Sequence, residues 1–228
     1  MKVAFITGSS RGIGLASARL LSENGYKVIG YSRSTTEDSF EQISLDLSSL
    51  EALGSFEFPN FSDVSDLVLI NNAGAINPVK KLGSHSAKDL AYINQINLTT
   101  PLVLANQFIK QFGDSKAKKV IINISSGAAF RAISAWAPYC SSKAGLEMLG
   151  HCIMEEQPEI RVVNLSPGVV DTEMQSEIRS AEPEQFELLE RFKNLKEEGQ
   201  LKSPEKVAAE VLHCINDSSI SGPYRHSD

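Results

Sequence analysis

The sequence predicts an α/β fold, a doubly wound parallel sheet with helices packed on both faces. Three observations carry that prediction. Short apolar runs of strand length alternate with longer stretches of helical periodicity along the chain. The strand-like runs are apolar throughout, as strands covered on both faces must be. A glycine-rich turn joins the first strand to the first helix, the kind of junction at which open parallel sheets bind ligands.

Each element follows in order. Residues 3–7 form an apolar strand that stops at Gly8. Residues 13–24 carry apolar positions at helical spacing and end before Gly25, a residue suited to close a helix. Residues 27–31, 41–45 and 66–70 read as the second, third and fourth strands. Between Tyr31 and Asp66 there is room only for short helices, and residues 51–65, with scattered phenylalanines, read as a packed loop, so this sheet edge should be thin. A long helix is expected over 86–112, a fifth strand over 119–124, a helix over 138–156 and a sixth strand over 160–165. Residues 171–195 are polar and charge-rich with some helical periodicity, and Ser203-Pro204-Glu205 opens a last helix, Pro204 suiting its first turn. No repeat, low-complexity tract or linker divides the chain, which reads as one domain over 1–228.

With 228 residues, the chain can bury most of its apolar surface in one core. A net charge of -6 and a pI of about 5.3 argue against nucleic acid or an anionic membrane as the main partner, so any basic anion site must be local. Cys140, Cys152 and Cys214 are odd in number, widely separated and without metal-type spacing. They read as free thiols in a reducing compartment, with no metal expected. The opening apolar run is too short for a signal-peptide core, and no run of 18 apolar residues exists, so a cytoplasmic location without a membrane span is expected.

Thr7-Gly8-Ser9-Ser10-Arg11-Gly12-Ile13-Gly14 occupies the first strand-to-helix junction. Gly8 allows a sharp turn, because positive φ costs glycine little. Gly12 and Gly14 leave room where a pyrophosphate approaches and where helix meets sheet, and the helix N-terminus offers free N–H groups to phosphates. The spacing is G-x-x-x-G-x-G, not the commoner G-x-G-x-x-G, and glycines serving only a tight turn are the plain alternative.

A second constellation lies later in the chain. Tyr139 and Lys143 are four residues apart, so one helix face carries both. A free phenol is a weak acid–base group at neutral pH, and a nearby ammonium favours its phenolate. The pair is therefore expected to place the phenol in a working range.

These motifs together resemble the short-chain dehydrogenase/reductase family. After Thr7-Gly8-x-x-x-Gly12-Ile13-Gly14 come Asn71-Asn72-Ala73-Gly74 behind the fourth strand and Asn97 in the long helix. Ser126 follows the fifth strand, Tyr139-x-x-x-Lys143 comes 13 positions later, and Pro167-Gly168-Val169-Val170-Asp171-Thr172 follows the sixth strand. The ordered set spans nearly the whole chain and implies a Rossmann-type, nicotinamide-dependent oxidoreductase acting on C=O and CH–OH groups.

The resemblance assigns roles by position. Gly8, Ser10, Arg11, Gly12, Ile13 and Gly14 would hold the pyrophosphate side of the cofactor. The second strand ends Ser32-Arg33-Ser34 with no carboxylate to repel a 2′-phosphate, so Arg33 with Arg11 favours NADP(H) over NAD(H), unless both arginines only solvate the surface. Asp46 and Leu47 would hold the adenine, Asp46 alternatively capping the next turn. Asn72, Ala73 and Gly74 would line the adenosine ribose, and Pro167, Gly168, Val170 and Thr172 the nicotinamide. Tyr139 would be the proton donor, Lys143 would lower its pKa and bind the ribose, Ser126 would orient the carbonyl, and Asn97 would keep a water between Lys143 and solvent. Ser125, the neighbouring candidate, would point to the other face if the strand continues.

Residues 173–200 correspond to the substrate lid, either mobile or a permanently solvated helix pair. The stretches 166–175 and 195–201 resemble the branch of sepiapterin and benzil reductases, which implies adjacent dicarbonyl substrates. Trp136, the only tryptophan, would stack on a flat conjugated substrate at the pocket mouth or plug the helix start. Asp228, at the end of the tail, does not match the acidic residue that anchors a pterin in that branch. Another short-chain activity (oxoacyl-carrier reduction, sugar or alcohol oxidation) and a non-catalytic NADP(H)-binding redox sensor are the competing readings. The helices at 86–112 and 138–156 correspond to those that build family homodimers or homotetramers.

Overall fold

The computed structural model describes residues 1–225; Asp228 lies outside the described residues. Seven parallel strands form one sheet in the order β3-β2-β1-β4-β5-β6-β7. They are β1 (Lys2–Thr7), β2 (Tyr26–Ser32), β3 (Glu41–Ser44), β4 (Asp66–Asn71), β5 (Lys118–Ile124), β6 (Ile160–Leu165) and β7 (Gly222–Tyr224). Strand order reverses between β1 and β4, which leaves a crevice at their carboxyl ends. This is the Rossmann-type arrangement expected, with two apolar layers, one on each face of the sheet.

The helices are α1 (Gly12–Glu23), α2 (Leu50–Gly54), α3 (Ala87–Asn94), α4 (Thr100–Phe112), α5 (Ala137–Glu156), α6 (Glu173–Arg179), α7 (Leu189–Glu197) and α8 (Pro204–Asn216). Helices α1 and α8 pack together on one face, where Ala18, Leu21, Val207 and Val211 cover β1 and β4 residues such as Ile6 and Ile70. On the other face Phe5, Phe58, Phe108 and Phe112 form an aromatic layer, with Phe5 and Phe112 stacked at 5.9 Å between ring centroids.

Three expectations need correction. The stretch read as a packed loop from residue 51 begins with helix α2, capped by the Ser49 hydroxyl accepting from the Ala52 N–H at 3.1 Å. The long helix over 86–112 is interrupted by a π-helical turn, Gln95–Thr99, between α3 and α4; Pro101, which has no N–H to donate, follows it directly in the first turn of α4. A seventh strand, β7, extends the sheet beyond β6; at three residues it is too short to show an apolar period. The β3 edge is thin as expected, four residues of partial or full exposure.

Candidate active site

A cleft of about 710 Å³ runs along the carboxyl ends of the strands, from Arg33 and Asp46 at one end to Ser126, Tyr139 and Lys143 at the other. Ser10, Arg11, Ile13, Leu47, Asn72, Ala73, Gly74, Pro167, Gly168, Val170 and Thr172 line its length. Of the residues singled out from the sequence, Gly14 and Asn97 stand just behind the cleft wall.

The glycine turn is built by contacts that admit no side chain. Gly8 and Gly12 have φ of +67° and +55°, which L side chains rarely adopt. A methyl group on Gly14 would lie 2.2 Å from the Gly8 carbonyl oxygen, so the glycine lets α1 abut the end of β1. Thr7, quoted in the motif but given no role from sequence, is the brace. Its hydroxyl oxygen accepts the main-chain N–H groups of Asn72 at 3.0 Å and Ala73 at 3.1 Å. The Asn72 side chain donates to the Thr7 and Gly8 carbonyls at 2.9 and 3.2 Å, so it holds the turn. Helix α1 follows Arg11, whose side chain makes no cap, and has no acidic residue in its first turn. Its free N–H groups and positive dipole end open on the cleft, which fits a pyrophosphate.

At the end of the cleft beside β2, Ser32, Arg33 and Ser34 line it, none of them a carboxylate. Asp46 accepts from the Ser48 N–H at 3.0 Å and the Ser48 hydroxyl at 2.7 Å. Those bonds, and then the positive charge of Arg33, hold its carboxyl below the usual range. Asp46 thus does turn the chain toward α2, the alternative open from sequence, while still facing the cleft. The Arg11 guanidinium, which lines the same cleft, pairs with Glu173 at the start of α6.

At the other end, Ile124, which ends β5, and the two residues after it meet three turns of α5. The Ile124 carbonyl accepts from the Lys143 ammonium at 2.7 Å. The Ser125 hydroxyl donates to Glu147. Ser126 hydrogen-bonds Tyr139, and its hydroxyl oxygen also accepts from the Ala128 N–H at 3.1 Å. Ser125 and Ser126 therefore do face opposite ways. Tyr139 and Lys143 are both buried, with the ammonium 5.8 Å from the phenol ring centroid.

The electrostatics differ from the sequence expectation. Burial pushes the Tyr139 phenol up to about 12, and the Ser126 hydrogen bond only opposes that rise. Burial also pushes Lys143 down to about 8, opposed by the negative charge of Glu147. Lys143 was expected to depress the phenol; here its ammonium is directed at Ile124, and desolvation dominates both groups.

Asn97 sits in the π-helical turn and links three parts of the site. Its side-chain oxygen accepts from the Ala75 N–H at 2.8 Å, and its amide donates to the Ala75 carbonyl at 2.8 Å and to the Ser142 hydroxyl at 3.1 Å. Ser142 in turn donates to the Tyr139 carbonyl at 2.9 Å. Both amide hydrogens of Asn97 are thus committed within the protein.

Helices α6 and α7 occupy the stretch expected to act as a lid, and its base is tied down. Val170 and Lys202 form a parallel bridge, the Lys202 N–H donating to Val169 and the Asp171 N–H to the Lys202 carbonyl, each at 2.9 Å. Underneath, Trp136 is only 7 % exposed, stacked on Phe186 at 5.7 Å and edge-on to Tyr139 at 5.6 Å. It is an inner wall shared by lid and cleft, not a residue of the mouth, and its indole N–H is buried without a partner among the described residues. Ile76, Ile133, Met174, Ile178 and Phe192 complete an apolar chamber beside the phenol, with Arg131 its nearby cation.

Comparison with known proteins agrees with this geometry. The family model for short chain dehydrogenase matches residues 2–183. The chain is 37% identical to a benzil reductase ((S)-benzoin forming) of Bacillus subtilis (strain 168), covering 97% of this chain and 96% of that one. It is 32% identical to the sepiapterin reductase of Mus musculus, over 97% of this chain and 95% of the relative. A solved structure of 4-hydroxyisoleucine dehydrogenase complexed with NADH superposes with a TM-score of 0.81 at 26% identity, covering 99% of this chain and 96% of that one. An ordered set of motifs, a parallel sheet reversing between β1 and β4, and a matching family model all agree, and the chain belongs to the short-chain dehydrogenase/reductase family of oxidoreductases.

Proposed function

We propose that the protein is an NADPH-dependent carbonyl reductase acting on adjacent dicarbonyls of the benzil or sepiapterin kind. The observation that carries this reading is the convergence of Ser126, Tyr139 and Lys143 at the buried end of a cleft whose other end opens on the glycine turn. The nicotinamide, when bound, supplies the hydride. The chain's own residues must then bind, orient and protonate.

Reduction leaves negative charge on the carbonyl oxygen, which needs a hydrogen-bond donor and then a proton. A phenol held near pKa 12 is fully protonated at neutral pH, so Tyr139 enters the reaction loaded. Ser126 is placed to share the same oxygen and to stabilise charge as it develops. Lys143, charged below about pH 8, would hold the ribose and favour the phenolate left after proton transfer. The main chain at Asn97 would hold the water that returns the proton.

The dicarbonyl assignment rests on the apolar chamber around Trp136 and on the likeness to the benzil and sepiapterin reductases. NADPH is favoured over NADH by Arg33 and by the missing carboxylate after β2. Leu102 and Met148, on the outer faces of α4 and α5, are about half exposed or more and favour homodimer or homotetramer contacts there. Three unpaired thiols fit a reducing, cytoplasmic setting.

The test is NADPH oxidation with benzil, followed by absorbance, for the wild type and Tyr139→Phe. Turnover should fall by roughly 10²–10⁴-fold in the variant while NADPH still binds. Unchanged turnover in Tyr139→Phe would sink the mechanism.

A further inference from the structure

Tyr139, Lys143 and Glu147 recur every fourth residue on one face of α5, and only the first two have a place in the reaction above. Glu147 is 5 % exposed. Burying a carboxylate is costly unless its oxygens are satisfied. One oxygen accepts from the Ser125 hydroxyl, while the other is buried with no hydrogen bond among the described residues. Such a group is hard to explain as a stabilising device, since an apolar side chain of its volume would serve the fold as well or better.

Its surroundings are ordered around it. Amides step across the sheet from Asn71 to Asn123 at 2.9 Å and from Asn123 to Asn164 at 2.8 Å. The Asn164 amide then donates to the Glu147 carbonyl at 3.1 Å. Gly150, on the next turn of α5, makes room for that amide: a methyl group there would lie 2.5 Å from it. The helix is therefore registered to the sheet at Glu147, one turn behind Lys143.

We infer that Glu147 is a positioning residue that acts through Lys143, its buried carboxylate keeping the ammonium charged and aimed at the end of β5. This rests on the reductase reading. Lys143 faces Tyr139 and Glu147 on its own helix and the Ile124 carbonyl from β5. Glu147 meets the Ser125 hydroxyl just after β5 and the neutral Asn164 amide from β6. Of the other elements on α5, the π-helical turn presents the neutral Asn97 amide, and α3 carries Lys88 and Asp89 at its exposed start and Tyr92 along the cleft. The charge on β6, Arg161, is turned to the carbonyls that end α8. Glu147 is thus the carboxylate that opposes the burial of Lys143.

The test uses Glu147→Gln, with Glu147→Met as an apolar replacement should the first not fold, and Glu147→Asp as the charge-keeping control. Two readouts are followed against pH: NADPH binding by fluorescence and turnover with benzil. Without the carboxylate, the alkaline limb of both should move to lower pH by about one unit. Turnover at pH 8 should fall about fivefold on the same basis, with KM for the diketone within about twofold and Tm little lowered. Glu147→Asp should restore the limb. A charge-free variant that folds and keeps the wild-type limb overturns the inference, as does a Glu147→Asp that behaves like Glu147→Gln. A wild type that binds NADPH but reduces no diketone overturns the substrate reading instead, and the binding profile alone then decides the role of Glu147.

Discussion

Replacing Gly14 by alanine separates two opposed effects whose sizes can be worked from the structure. Within helix α1, alanine should be worth about 1 kcal/mol over glycine. The added methyl, however, would lie 2.2 Å from the Gly8 carbonyl oxygen and 2.5 Å from the Asn72 amide nitrogen. Carbon contacts settle near 3.5 Å, so roughly 1 Å of movement is needed. Both neighbours are fixed, one as backbone and the other by its bonds to Thr7 and Gly8. Overpacking of this kind costs about 3 kcal/mol at the upper end of its range. The net loss is then about 2 kcal/mol, or a fall in Tm of about 4–8 °C for a chain of this size. Because the strain falls on the turn facing the pyrophosphate, NADPH should bind at least about tenfold more weakly, about 1.4 kcal/mol. Thermal melting and NADPH fluorescence titration measure the two effects, with Gly54→Ala as a control in open space. A Gly14→Ala protein with raised or unchanged Tm and undiminished NADPH affinity would refute the packing argument.

Two further perturbations follow from the same site. Arg33→Glu should weaken NADPH binding by about 100-fold, as expected for losing a charge-assisted contact worth about 2–3 kcal/mol, while leaving NADH nearly unaffected; equal loss for both cofactors would remove Arg33 from the 2′-phosphate. Lys143→Met should abolish turnover yet stabilise the fold. The ammonium is depressed from 10.5 to about 8 by burial, a penalty of about 3 kcal/mol at neutral pH, of which about 1 is offset by its bond to Ile124. Since the folded value lies below the unfolded one, the penalty is fully present below pH 8 and fades as pH rises toward 10.5. Melting curves of wild type and variant should therefore differ by about 4–8 °C at pH 7 and converge at high pH; a less stable variant at pH 7 would contradict this.

Much of the site was legible because its signals are local. Gly8, Gly12 and Gly14 sit at a strand-to-helix junction, and Tyr139 and Lys143 are locked together by helical periodicity. What stayed hidden depends on partners distant in sequence. Glu147 looks like any polar residue of an amphipathic helix until the Ser125 hydroxyl, 22 residues earlier, is brought to it. The π-helical turn at Gln95–Thr99 leaves no mark in the apolar period, and the Asn97 side chain's bonds to Ala75 and Ser142 likewise reach partners distant in sequence. The sign of the Tyr139 perturbation follows from total burial, which spacing does not report. Trp136 was placed at a mouth because its burial depends on Phe186 and Phe192, from the far end of the lid.

The central claim concerns geometry: phenol, ammonium and serine hydroxyl gathered around the spot where a carbonyl meets the nicotinamide. A crystal structure of the protein with NADP⁺ measures it directly. The Tyr139 hydroxyl should lie on the open face of the nicotinamide C4, with the Lys143 ammonium about 3 Å from a ribose hydroxyl. A dinucleotide seated along the cleft with the Tyr139 hydroxyl turned from C4, or with Lys143 directed into solvent, would contradict it.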